Sequence, residues 1–98
     1  MINGDFEAVF EATNVGAFRF GVVDGSNRNA LAYTGNYRYY KMKRVNGVFT
    51  FQRSQDNSNW SNVTGDSSTL TTEDVYFLFL VLDNSRSLTY KNLKIYRI

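Results

Sequence analysis

The chain contains no cysteine, no histidine and no proline. The first two absences exclude disulfide frameworks, thiol nucleophiles, Ser–His and Cys–His pairs, and the usual zinc sites. A cysteine-free chain is compatible with either redox compartment, so none is selected. No basic-then-apolar leader opens the sequence and no apolar run reaches membrane-spanning length, so neither a signal peptide nor a membrane span is expected. No segment longer than a turn shows a 3.6-residue period; residues 71–74 could supply one helical turn at most. Nor does one sign of charge dominate, with 11 basic residues against 9 acidic ones. A net charge of +2 is too small to argue for nucleic acid.

What is present is a β pattern. The 98 residues are enough for one domain with one modest core. In Asp5 to Thr13, period two puts Phe6, Ala8, Phe10 and Ala12 on one face and Asp5, Glu7, Val9 and Glu11 on the other. Phe18, Phe20 and Val22 repeat the alternation after an Asn14-Val15-Gly16 turn. A loop from Asp24 to Asn29 leads to a short strand around Leu31 to Tyr33. The apolar run from Val75 to Leu82 predicts a central strand covered on each side. A turn at Asp83-Asn84-Ser85 precedes the last strand, where a phase change predicts a kink near Lys91-Asn92.

The strongest local signal is Val45-Asn46-Gly47-Val48. Asn and Gly accept the positive φ angles of a type I′ turn, which fixes the register of the flanking strands. Val45 then faces Val48, Arg44 faces Phe49, Met42 faces Phe51 and Lys41 faces Gln52. Tyr40, Met42, Phe49 and Phe51 form a core face; Tyr39, Lys41, Lys43, Thr50 and Gln52 form a wet one. Beyond this hairpin, a four-residue loop over residues 55–58 sets Arg53 opposite Trp60. Trp60 would then lie on the core side, with Asp56 accepting from loop amides and Asn57 in the left-handed position. Some seven or eight short strands predict an all-β, antiparallel two-sheet β-sandwich forming a single domain over residues 1–98.

The run YYKMKRVNGVFTFQRSQDNSNW resembles the middle of a concanavalin A-like (laminin G-like) jelly-roll domain, and TTEDVYFLFLVLDNS with LTYKNLKIYRI resembles its end. The resemblance implies a jelly roll, a carbohydrate-binding role, and a setting on an extracellular protein or a phage tail or baseplate. Asn57 stands where that family usually has Gly. The chain would also lack the family's N-terminal strand, leaving the last strand as an edge covered by another subunit of a homo-oligomer or larger assembly.

Candidate sites divide by geometry. Glu7 and Glu11 share a strand face, but at about 3.3 Å per residue their α-carbons lie about 13 Å apart, beyond the reach of a glycosidase carboxylate pair. No enzyme activity and no cofactor are expected. The loops DGSNRN and SQDNSN each offer one carboxylate and read as Asx turns rather than metal sites; the alternative is a calcium joining Asp24 to another loop. Asn59-Trp60-Ser61 and Asn62-Val63-Thr64 read as chance glycosylation sequons. For carbohydrate, or an anionic cell-surface polysaccharide, Tyr37, Tyr39, Lys41, Lys43 and Gln52 offer flat rings and hydrogen-bonding groups, with Tyr33 and Trp60 at the rim. Two tyrosines and two lysines on the sheet are too thin a footprint for nucleic acid.

Overall fold

The computed structural model describes residues 2–13, 18–24, 29–65, 74–81 and 89–98, with side chains described throughout except at 79–81. It contains strands β1 (Phe6–Thr13), β2 (Phe18–Val23), β3 (Asn29–Thr34), β4 (Tyr39–Val45), β5 (Val48–Ser54), β6 (Ser61–Val63), β7 (Tyr76–Val81) and β8 (Thr89–Arg97). They form two antiparallel sheets, a five-stranded one ordered β6-β5-β4-β1-β8 and a three-stranded one ordered β3-β2-β7. No helix occurs among the described residues. The turns expected at residues 14–16, 71–73 and 83–85, and most of the loop after Asp24, lie outside the described residues.

The alternation read in β1 is real. Phe6, Ala8, Phe10 and Ala12 are buried, and Phe18, Phe20 and Val22 meet them from β2. Aromatic edges join the two sheets. Phe20 meets Phe10 at 5.4 Å and 75°, Tyr40 at 5.6 Å and 62°, and Phe51 at 5.6 Å and 85°. Such edge-to-face pairs contribute about 0.5–1.5 kcal/mol each beyond the area they bury. Backbone bridges add two stitches, Ile2 to Val75 and Ala32 to Gly65. A Cβ on Gly65 would run into the Phe51 ring, so this close approach requires glycine.

The β4–β5 hairpin has the register set by its turn: Val45 faces Val48, Met42 faces Phe51 and Lys41 faces Gln52. Asn46 and Gly47 take φ of 51° and 77°, and the Asp5 carboxylate accepts from the Asn46 amide at 2.8 Å. The kink in the last strand is also present. The β1–β8 register shifts between Val9 and Glu11, and Asn92 takes a φ of 57°. One expectation is corrected. Among the described residues β7 pairs with β2 as its only strand partner, so it ends the three-stranded sheet rather than running through its centre. Nor are both faces covered: Tyr76 is exposed and Phe77 and Leu78 are half-buried.

Beneath the hairpin lies a charge that the alternation places inward. Arg44 follows Tyr40 and Met42 on the core side of β4 and has no exposed surface. It donates from Nε and Nη2 to the Gly4 carbonyl at 3.0 and 2.6 Å, and sits near the Phe6 and Phe49 rings.

Candidate functional site

The outer face of the five-stranded sheet is organised in rows that the pairings define. Gln52, Lys41, Val9 and Lys94 lie side by side across β5, β4, β1 and β8. Thr50, Lys43, Glu7 and Tyr96 form the row on one side of them, and Ser54, Tyr39, Glu11 and Lys91 the row on the other. Because alternate residues of a strand share a face, all of these positions look away from the core.

A cleft of about 520 Å³ crosses this face. Val9 is its floor. Trp60, Tyr39 and Lys41 line one side, Asn92, Lys94 and Tyr96 the other, and Glu7 and Glu11 flank Val9 along β1. Trp60 corrects the sequence expectation. Arg53 pairs with Ser61 instead of Trp60, because the connection from Ser54 to Ser61 is longer than the four-residue loop expected. A slip of one residue moves a side chain to the opposite face. Trp60 therefore leaves the core side and joins the cleft, where the Lys41 ammonium lies 4.1 Å from the centre of its ring.

The loop before Trp60 is built from its own polar groups. Asp56 accepts from the Ser58 and Asn59 amides at 2.9 and 2.8 Å, the Asn59 side chain at 2.7 Å and the Ser54 hydroxyl at 3.0 Å. These donors, the Asn59 amide foremost, hold the Asp56 carboxyl far below the usual carboxylate range. Asn57 takes the left-handed conformation at φ 62°. The Asx turn read from the sequence is present, and it leads through Asn59 directly into Trp60.

Each carboxylate on the face is matched by cations. Glu7 lies 3.5 Å from Lys43 and 4.0 Å from Lys41. Glu11 meets Arg38 at 3.3 Å and Lys91 at 3.9 Å, and accepts from the Asn92 side-chain amide at 3.1 Å. The Asn92 hydrogen bond is the largest influence, and with the help of Arg38 and Lys91 it outweighs the opposing effect of burial and holds Glu11 below its ordinary value. No group of three or more acidic side chains among the described residues could hold a metal ion.

Five of the seven residues singled out from the sequence share this face: Tyr39, Lys41, Lys43, Gln52 and Trp60. Gln52 is engaged by Asn62, donating to its side-chain oxygen at 3.2 Å. The other two lie elsewhere. Tyr37 precedes β4 and packs against the core; the Arg53 guanidinium lies 4.1 Å from its ring centre, and its carbonyl accepts from the Tyr40 hydroxyl at 2.6 Å. Tyr33 is exposed on β3, in the other sheet, paired with Arg19. Proximity in sequence to the basic run carried Tyr37 into the candidate set, but alternation extends only within a strand, and β4 begins at Tyr39.

The β8 wall was missed. Asn92, Lys94 and Tyr96 enter the cleft because β8 pairs with β1, and no turn of known length links those two strands. The one local signal was the phase change at Asn92. Comparison with protein-family models, with curated proteins and with solved structures finds no match to this chain.

Proposed function

We propose that this chain is a non-catalytic, lectin-like jelly-roll module that binds cell-surface carbohydrate in the cleft on its five-stranded sheet, as part of a phage tail, baseplate or other adhesin. The observation that carries the reading is the pairing of Trp60 and Tyr39 with Tyr96 across a floor of Val9. Aromatic rings suit the C–H faces of a pyranose, and the surrounding amides and charged groups suit its hydroxyls. At about 520 Å³ the cleft falls in the range of small-ligand sites. Glu7 and Glu11 are each held by cations at separate points of the face, which supports a binding role rather than a reacting one. A glycan array of bacterial polysaccharides tests the proposal. Binding that disappears in a Trp60→Ala/Tyr39→Ala variant is expected; a folded chain that binds none of them overturns it.

A second reading rests on a separate observation. Among the described residues β8 is paired on one side only, and Tyr90 and Ile95 on it and Ile98 just beyond it are exposed. An exposed edge of this kind serves a structural assembly subunit whose β8 pairs with another chain. Light scattering decides it: a monomer at every concentration sinks the assembly reading.

A further inference from the structure

We propose that the cleft selects anionic saccharides, anchoring a carboxylate or phosphate above Val9 between Lys41 and Lys94; this rests on the carbohydrate-binding reading above. The middle row of the face is the basis. Lys41, Val9 and Lys94 stand on adjacent strands β4, β1 and β8, so the two lysines flank an apolar floor at about two strand spacings, roughly 9–10 Å between backbones. No carboxylate stands in that row.

The two lysines are not equivalent. Lys41 is held between Glu7 and the Trp60 ring. Lys94 forms no ion pair among the described residues, whereas Lys43, Lys91 and Arg38 on the same face all do. The carboxylates of the neighbouring rows are already neutralised by those cations. Lys94 is therefore the group with an unspent charge, and it points to an anion supplied by the ligand. Trp60 on one wall and Tyr96 on the other leave room for the sugar ring that carries it.

The same rows argue against a polyanion. A continuous phosphate backbone crossing the cleft would run over both Glu7 and Glu11, which line it on either side of Val9, whereas a single localised anion between Lys41 and Lys94 has only those two cation-paired carboxylates as neighbours. A charge-assisted contact of this kind corresponds to roughly tenfold or more in affinity.

The test is titration of the intact chain, followed through its single tryptophan. The probes are galacturonate and a mannose phosphate, their neutral counterparts galactose and mannose, inorganic phosphate, and an oligothymidylate. Each acidic sugar is expected to bind roughly tenfold or more tightly than its neutral counterpart. Lys94→Ala should erase that preference, weakening the acidic sugars more than the neutral ones, Lys94→Arg should retain it, and Lys94→Glu should reverse it. Equal binding of acidic and neutral sugars, or a preference that survives Lys94→Ala, overturns the inference and leaves carbohydrate binding standing. Tighter binding of oligothymidylate or free phosphate than of any sugar overturns the inference, as does the absence of all sugar binding, which removes the underlying reading as well.

Discussion

The Lys41 ammonium lies over the Trp60 ring, 4.1 Å from its centre. The contact joins the middle of β4 to the end of the β5–β6 connection, and it ties the indole to the sheet. A lysine over a tryptophan is worth about 0.5–1 kcal/mol where exposed and about 2 where desolvated. Lys41→Met is therefore expected to lower stability by about 0.5–1 kcal/mol, the lower figure because Glu7 keeps Lys43 as a partner. It should also shift the emission of the single tryptophan. Thermal unfolding and a fluorescence spectrum check both outcomes; an unchanged spectrum would place the indole outside the influence of Lys41.

Why the hairpin was legible and Trp60 was not follows from how register is set. Asn46-Gly47 closes a two-residue loop whose φ requirements those residues alone meet, and every pair from Val45–Val48 back to Lys41–Gln52 follows by counting. The next connection has Asx chemistry that can be read residue by residue, yet that chemistry does not count loop residues. One residue more than expected turned Trp60 from the core side to the cleft. The pairing of β1 with β8 lies further still from local signals. It brings together the two ends of the chain, so Lys94 and Tyr96 could not be assigned to the face that holds Lys41.

Acid should loosen the face and the loop that supports it. Glu11 and Asp56 both have folded-state pKa values below their ordinary 4.5 and 3.8. A depressed folded value means that the charged form stabilises the native state above the unfolded pKa, and that this contribution is lost as pH falls through the folded pKa. Stability contributed by these groups is thus expected to be level from neutral pH to about pH 5 and to fall below about pH 4. Asp56→Asn should lower Tm at neutral pH, since an amide cannot accept from every donor that Asp56 meets, and should lose less Tm between about pH 5 and about pH 3 than the parent chain does. Parallel Tm losses in the two chains would remove Asp56 from the acid response.

Two glycines separate strain from crowding. Gly21 is buried in the middle of β2, opposite Leu31 on β3 and Leu78 on β7, and a Cβ there would collide with the Ala30 carbonyl oxygen. Backbone cannot swing aside as a side chain can. Gly21→Ala should cost about 3 kcal/mol, the upper end for overpacking. Gly4 has open space around its Cα but a φ of 68°. Gly4→Ala should cost only about 1–2 kcal/mol, from the left-handed backbone alone. Denaturant midpoints of the two variants measure the difference, and equal costs would contradict the crowding at Gly21.

Arg44 is the largest fully buried side chain among the described residues, and it carries a charge into a core made chiefly of phenylalanine, tyrosine, alanine, valine and methionine. Its inward position follows from the same alternation as Tyr40 and Met42, so the fold has to supply partners. The Gly4 carbonyl is one of them, reached by two guanidinium nitrogens, and the Phe6 and Phe49 rings lie beside the group. Hydrogen bonds to a charged group contribute about 1.5–3 kcal/mol, and truncation adds the loss of packing along the stem. Arg44→Ala should therefore destabilise by at least about 1.5–3 kcal/mol. Arg44→Met keeps much of the stem and removes the cost of burying a charge, so it should recover part of that loss. If instead the two variants are equally unstable in urea, the hydrogen bonds and charge of Arg44, rather than its packing, fix the segment that leads into β1.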